Sequence, residues 1–571
     1  MEQIDNSAQF VTFGVKPDLN PCPSNNTPIV SSNSTHTTNI SSSPFKNSVL
    51  LPPVKLAEDP ENRFGLDYFL VKYFLSNKED PTISNEKLSE LKNLIPDFDF
   101  EKNLKLDVKA PCQAYRLNPE ANQKIPLKIN LKAMDISIEF EKLLENRSGI
   151  DLICVVDVSG SMKGENKINL VKETLQTMIS MMTEYDRLAL IIFNHEGKKV
   201  FPLRQISQIN GPMFSEFIGA LTANGGTNIN EGVKLAMDII KNRKYRNPIT
   251  SVFLLSDGQD QINRSLPLIQ ETMNSIDEKE SFTVHSFGFG KDHDADLMRE
   301  IAKTKGGNFY FVDDLKIIDE CFMDTMGLLF SAILKDVEIH VTVNNNGFLN
   351  DMRIKKTFGE MWSFNENKKQ HTIKAKLFTI GMTKDYICTL NLPPIKKILE
   401  ENEKKQVVVK VTMEGFSVKD DKKLTKETEY SLNFLNFDEV LEENVVDSDV
   451  IVNFLRVKGA EKLENAKNYC DKHMYEMAQK ELQKIKNKIL KSPFKDYPPL
   501  MILLENVEKT ITFCQKEKYN NEGKSYVSSY SHHNMYQQSC PNSRVGNVVN
   551  YYATNLQKSS NQSAMEKKNQ G

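Results

Sequence analysis

The stretch Leu152-Ile153-Cys154-Val155-Val156-Asp157-Val158-Ser159-Gly160-Ser161 decides how this chain folds. Five apolar residues in a row end on a carboxylate, and two serines and a glycine follow at once. A short, continuous apolar run bounded by turn residues reads as a strand buried on both faces. The apolar residues that come next, Ile168, Val171, Leu175, Met178, Ile179 and Met182, recur at helical spacing. Further apolar strands are expected at Leu188–Phe193, Ser251–Leu255 and Thr283–Phe287, with a helical pattern at Val233, Ala236, Met237 and Ile240. Strands alternating with helices predict an α/β domain over 150–334, a doubly wound, mostly parallel sheet covered on both faces.

On either side of this domain the period changes to two. Leu104, Leu106 and Val108 alternate, as do Leu127, Ile129 and Leu131. After Asp336, Val337, Ile339, Val341 and Val343 alternate strictly, and strand-like runs continue at His371–Leu377, Tyr386–Leu392, Val407–Met413 and Glu429–Phe434. Residues 104–147 and 335–435 are therefore expected to form one β-sandwich into which the α/β domain is inserted. Termini of compact domains often lie close together, which makes such an insertion geometrically cheap. Residues 437–520 return to helical spacing, with Leu482, Ile485 and Ile489 on one face and Leu500, Leu503, Leu504, Val507 and Ile511 on another. Pro493, Pro498 and Pro499 separate these helices.

The ends read differently. Residues 1–60 are rich in Ser, Asn, Thr and Pro, and 541–571 are polar, so both are expected to be disordered tails. Leu66, Phe69, Leu70, Tyr73 and Phe74 sit at helical spacing, as in a helix docked on the body. These tails are in keeping with a chain of 571 residues that is only 39% hydrophobic.

Lysine and arginine total 73 against 76 aspartates and glutamates. A balance so near neutrality gives no basic face for nucleic acid and no polybasic membrane anchor. No run of about 18 apolar residues is present, so no membrane span is expected. The cysteines at 22, 112, 154, 321, 388, 470, 514 and 540 include no C-x-x-C pair, which excludes a zinc ribbon, a RING or a redox motif in its usual spacing. Met1-Glu2-Gln3-Ile4-Asp5-Asn6 lacks the basic and apolar regions of a secretory signal. A reducing, cytoplasmic setting is the expectation.

Three pieces carry chemistry. Asp157, Ser159 and Ser161 stand at the carboxyl end of a strand, where open α/β sheets bind ligands. Gly225-Gly226-Thr227-Asn228 presents a hydroxyl on a glycine-turned loop before a helix. Ser256-Asp257-Gly258 follows the strand ending at Leu255, so Asp257 emerges at the same edge. Asp157, Ser159, Ser161, Thr227 and Asp257 make an all-oxygen donor set, the kind that hard divalent cations such as Mg²⁺ (or Mn²⁺) require. With at most two carboxylates facing the ion, an outside Asp or Glu carboxylate from a protein partner can complete its octahedron.

These strings resemble the metal-ion-dependent adhesion site of von Willebrand factor type A domains, and 150–334 resembles that fold throughout. The body is also similar to a eukaryotic intracellular group that includes plant RING-containing type A domain proteins, in the strings Val156–Met162, Tyr185–Leu188, Gly225–Ile229 and Leu254–Asp260, and in the run from Gly523 to Ser529. The resemblance implies Asp157, Ser159, Ser161 and Thr227 as metal ligands, with Asp257 acting through water. It does not carry over a ligase role, because the RING cysteines are missing.

Other candidates are weaker. Gly288-Phe289-Gly290 lacks the further residues of a phosphate loop, and Asp292, Asp294 and Asp296 lack the Gly and Glu of an EF-hand, which leaves a solvated loop capping the next helix. His195 reads as a loop histidine near the metal edge, His532 and His533 have no second ligand pair, and Trp362 reads as a core anchor. No G-x-S-x-G elbow supports a nucleophile. The expected function is non-enzymatic, metal-dependent protein binding. Alternatives are an adaptor that recruits a separate ubiquitin ligase, and a metal-dependent hydrolase, for which the sequence offers no general base.

Overall fold

The computed structural model describes residues 98–570, apart from 137, 208–209, 258, 261, 292, 313–316, 441–445, 540–543 and 546–547. The expected 1–60 tail and the 66–74 segment lie outside the described residues, as do Gly258 and Asp292.

Among the described residues three strands precede the α/β domain: β1 (Leu104–Lys109), β2 (Ala114–Arg116) and β3 (Gln123–Ala133). The domain contributes β4 (Ile150–Asp157), β5 (Arg187–Phe193), β6 (Gly197–Gln205), β7 (Ile249–Ser256), β8 (Thr283–Phe289) and β9 (Phe309–Val312). They form one sheet in the order β6-β5-β4-β7-β8-β9. β4 is parallel to both neighbours, β5 and β7, and only β6 at the edge runs antiparallel.

Every residue of β4 is buried, and the strand's alternation divides it between two cores. Leu152, Cys154 and Val156 face the helices Lys167–Ser180 and Ile318–Phe330 through Val171, Leu175, Met178, Phe322 and Met326. Ile153 and Val155 face the helices Ile229–Asn242 and Ala295–Thr304 through Val233, Ala236, Ile240, Leu297 and Ile301. A strand sandwiched this way can be apolar at every position, which is why its sequence does not alternate.

After the domain come β10 (Ala332–Val343), β11 (Arg353–Thr357), β12 (Trp362–Asn365), β13 (Gln370–Thr379), β14 (Thr383–Leu392), β15 (Lys405–Ser417) and β16 (Lys423–Leu435), and, far along the chain, a short antiparallel pair of Arg544–Val545 with Val548–Val549. Two sheets result, β1-β3-β14-β11 and β12-β13-β10-β15-β16-β2. β3 pairs with β14 from Gln123–Leu392 to Lys132–Thr383, and β2 runs parallel to the end of β16. Each sheet thus mixes strands from before and after the α/β domain, which is inserted in the sandwich. At the insertion point the Arg147 guanidinium lies 3.8 Å from the centre of the Phe330 ring, so entry and exit meet. Arg147 is held there by a two-pronged bond to buried Asp186, at 2.7 and 2.5 Å.

The C-terminal region is helical. Ser448–Asp471, Tyr475–Leu490, Pro498–Phe513 and Lys524–Tyr536 share a core of Leu463, Leu482, Ile485, Leu503 and Val507, and Pro498 and Pro499 open their helix where an N–H is dispensable. Two cations, buried Arg456 and half-buried Lys384, fasten the last of these helices by its carboxyl end. Arg456, with no exposed surface, donates to the carbonyls of Asn534, Met535 and Asp385, and Lys384 Nζ donates to the carbonyls of Tyr536 and Gln537 at 2.7 and 2.9 Å. Terminal carbonyls lack intrahelical partners and carry the negative end of the helix dipole, so they compensate a buried cation.

One expectation changes at the end of the chain. The polar composition of 541–571 reads as a disordered tail, yet Asn555–Gln570 is a helix. It lies along Ile318–Phe330, with Leu556 and Ala564 buried and Gln557 Nε2 donating to the Asp324 carbonyl at 3.2 Å. The approach is close because Gly327 faces it, where an added Cβ would stand 2.9 Å from the Cα of Gln557. Small residues on both helices replace the apolar stripe that composition looks for.

Gly232 plays a similar part on the other face. A Cβ there would meet Val155 at 2.7 Å and Phe193 at 2.8 Å, so the Ile229–Asn242 helix touches β4 and β5 through this gap. Gly232→Val is expected to lower stability by about 1–3 kcal/mol through overpacking, read as a shift of the denaturant midpoint at unchanged slope.

Candidate functional site

β4 and β7 run parallel with Val156 opposite Leu255, so Asp157 and Ser256 end their strands side by side. The chain then turns sharply over the sheet edge. Asp157 Oδ1 accepts the backbone N–H of Ser159 at 2.8 Å, and its Oδ2 accepts the Ser256 hydroxyl at 2.5 Å. The Ser159 and Ser161 hydroxyls are 3.0 Å apart. Ser161 is the second residue of the Gly160–Asn166 turn that leads into the Lys167–Ser180 helix.

The glycine loop is stitched to this turn through the backbone. Asn224 N–H donates to the Val158 carbonyl at 2.6 Å, and Gly160 N–H donates to the Gly225 carbonyl at 2.9 Å. Gly225 has φ +79°, and a Cβ there would fall 3.0 Å from His195 Nδ1, so both the turn and the neighbour favour glycine. Thr227, half-buried, stands two residues further on this loop, where Asn228 N–H donates to the Asn194 carbonyl at 2.6 Å. Asn194 Nδ2 in turn bonds the carbonyl of Asn224 at 3.2 Å.

Asp257 is the least compensated member. It is fully buried, and neither carboxylate oxygen has a hydrogen-bond partner. The nearest cation is buried Lys167, whose Nζ lies 3.5 Å from Oδ2. A carboxylate in this state is costly unless charge is supplied to it. Burial also pushes the Asp157 carboxyl up to about 6, against the pull of its Ser256 and Ser159 bonds, and the neighbouring charge of Asp257 adds to the rise. The edge therefore holds more negative charge than its hydrogen bonds settle.

The structure thus gathers Asp157, Ser159, Ser161 and Asp257 at one edge and brings the loop bearing Thr227 against them. These residues fit a hard divalent cation: the donors are all oxygens, and neither oxygen of Asp257 is hydrogen-bonded, with Lys167 its ion-pair partner at 3.5 Å. Among the described residues no three carboxylate, imidazole or thiol groups gather as a cage, at this edge or away from it, so the edge's donors are two carboxylates and hydroxyls. The structure adds Lys167, Asn194 and Asp260 to the edge and gives Ser256 a bond to Asp157. Asp260 Oδ2 accepts the Ile229 N–H at 3.0 Å, capping the helix that follows Thr227. Its signal was an acidic residue three positions after Asp257.

Residues 151–323 match the family model described as von Willebrand factor type A domain. The chain contains a type A domain. Among solved structures, a von Willebrand factor type A protein from Catenulispora acidiphila superposes with a TM-score of 0.55 at 14% identity, covering 76% of this chain and 97% of that one. That likeness reaches past the type A domain and shows the fold. The uncharacterized protein YfbK of Escherichia coli (strain K12) is 24% identical over 305 residues, 51% of this chain and 52% of its own length. The probable E3 ubiquitin-protein ligase WAVH2 of Arabidopsis thaliana is 34% identical over 120 residues, 20% of this chain and 16% of its own. The chain thus spans about half the length of the first of these relatives and less of the second.

The weaker candidates fall outside the type A edge or play structural roles. Asp294 caps the Ala295–Thr304 helix by accepting the Leu297 N–H at 3.1 Å. Asp296 is not solvated: Lys467 and Lys524, each 3.1 Å from its Oδ2, hold it against the C-terminal helices. His532 and His533 are buried in the last helix of that bundle, and Trp362 is half-buried on the strand at the sheet margin rather than in the core.

The raised Asp157 carboxyl fixes a sign. Its unfolded value lies near 3.8 and its folded value near 6. As pH rises through that window the unfolded chain releases a proton that the fold retains, so metal-free stability falls by about 2–3 kcal/mol and stays lower above pH 6. In chelator at pH 7, Asp157→Asn is expected to melt above the parent protein, the gap closing below about pH 4. Thermal melts across pH 3–8 check this.

Proposed function

We propose that the type A domain binds a divalent cation, Mg²⁺ or Mn²⁺, through Asp157, Ser159, Ser161 and Thr227, with Asp257 acting through water, and that the bound ion recognises an Asp or Glu carboxylate of a protein partner. The observation that carries this reading is the pair of buried, unbonded oxygens on Asp257 beside the hydrogen-bonded Asp157. With Asp257 acting through water, Asp157 is the one carboxylate in direct contact with the ion among neutral hydroxyls, which leaves a residual positive field for an outside carboxylate to satisfy. Type A domains mediate protein interactions, which supports protein binding through this domain.

We read the domain as binding without catalysis, since the groups bonded to Asp157 are Ser159 and Ser256 rather than a general base. No helix of the described residues is long and apolar enough to cross a membrane. The six described cysteines form no disulfide, which is in keeping with a reducing, cytoplasmic setting for the interaction. A second reading, recruitment of a separate ubiquitin ligase, is favoured by the relatives named as such ligases in Arabidopsis thaliana, WAVH2 and WAV3. Ligase chemistry would then reside in the partner, because this chain has no RING cysteine spacing.

Asp157→Ala removes the one carboxylate that would touch the ion directly. Calorimetric Mg²⁺ titration is expected to lose its heat, and partner capture to lose its sensitivity to EDTA, while circular dichroism stays that of the parent. Ser159→Ala is expected to weaken Mg²⁺ binding less, by about tenfold or under (about 1.4 kcal/mol), since water replaces a hydroxyl ligand. Undiminished capture by folded Asp157→Ala would place recognition on another surface.

A further inference from the structure

The cation that faces Asp257 stands where a lysine is electrostatically misplaced. Lys167 is the first residue of the Lys167–Ser180 helix, at the positive end of its dipole, and only 4% of its surface is exposed. Both features disfavour an ammonium. The backbone is bent to put it there. Glu165 and Asn166, neither of them glycine, take left-handed φ values of +53° and +62° in succession. The Lys167 N–H then donates back to the carbonyls of Met162 and Gly164, which closes the turn.

Burial, dipole and backbone thus all oppose this position, and a carboxylate offsets them. Lys167 Nζ lies 3.5 Å from Oδ2 of Asp257, which has no exposed surface and whose two oxygens accept no hydrogen bond. The contact joins the helix that follows β4 to the residue that follows β7. Ser256, next to Asp257 in the chain, is bonded to Asp157 at 2.5 Å, so the ammonium belongs to the same edge as the carboxylate expected to touch the ion.

We propose that Lys167 is the resident counter-ion of the metal edge: it compensates Asp257 while no ion is bound, and its charge holds the Mg²⁺ affinity of the edge low, so that occupancy follows the divalent concentration. This rests on the metal-binding reading above and names how that same site is regulated. A divalent ion held by Asp157 and reaching Asp257 through water shares the second carboxylate with Lys167, and two cations at one carboxylate repel each other. The edge keeps its fold when empty because one of the two cations is part of the chain.

The test takes the full-length parent, Lys167→Met, Asp257→Asn and the double variant through thermal melts in EDTA and calorimetric Mg²⁺ titration. In EDTA each single variant leaves one buried charge without its partner, and Lys167→Met is expected to melt at least about 5 °C below the parent. The double variant is expected to lose less than the sum of the two, since neither charge is then left alone. Lys167→Met is expected to bind Mg²⁺ about tenfold more tightly than the parent, and excess Mg²⁺ to restore its melting temperature. If Lys167→Met is unfolded in EDTA, recovery of its circular dichroism by Mg²⁺ supports the proposal and lack of recovery overturns it. An unchanged melt in EDTA, a double variant that loses the full sum, or a Mg²⁺ affinity no higher than the parent's overturns it while the metal site stands. Absence of Mg²⁺ heat in both the parent and Lys167→Met is a different failure, which removes the metal-binding reading and this inference with it.

Discussion

Asp157 is the last residue of a strand hydrogen-bonded on both sides, and that position closes off its carboxylate from water. A buried carboxylate must be answered by donors or by charge. The Ser256 hydroxyl answers one oxygen from the neighbouring strand, and the Ser159 amide answers the other from the turn itself. The turn can supply that amide only by folding straight back over the sheet, and this brings Gly160 beneath the carbonyl of Gly225. The arrangement of the whole edge, including the loop that carries Thr227, thus descends from satisfying one side chain. Asp257, one strand over, is left with Lys167 alone.

The same economy of charge recurs where the pieces of the chain meet. The seam with the C-terminal helices is closed by Arg456 and Lys384, whose charges are spread over the carbonyls that end the Lys524–Tyr536 helix. Asp296 joins the type A domain to those helices through Lys467 and Lys524. Removing a carbonyl partner of buried Arg456, or Asp296 from buried Lys467, leaves a cation uncompensated, so these joints are harder to open than exposed pairs of the same length.

The inserted architecture could be read from the sequence because its central strands are buried on both faces. Leu152–Val156 admits no polar residue, and neither does Val252–Leu255, so length and turn residues alone mark them as strands. The hydroxyls and carboxylates of the edge were legible for the same reason, each lying directly past such a strand or before a helix. Other parts were not. β6 contains Pro202 and several charged residues because it is an edge with one open side, and β2 and β12 are too short to show a period. Lys167 reads as the start of a helix, and only the tertiary fold reveals that it reaches Asp257. Asn555–Gln570 lacks an apolar stripe, since its contact with Gly327 rests on small residues whose complementarity has no linear signature.

The insertion also sets how the type A domain bears load. Its two covalent tethers, before Ile150 and after Phe330, leave together at the amino-terminal end of β4, while the candidate edge is at the carboxyl end. Tension applied at Asp157 therefore travels along the strand axis. Hydrogen bonds to β5 and β7 lie across that axis and are strained in parallel, so they yield as a group rather than unzipping one after another. A grip on the edge is transmitted to the sandwich as through a rod fixed at its base.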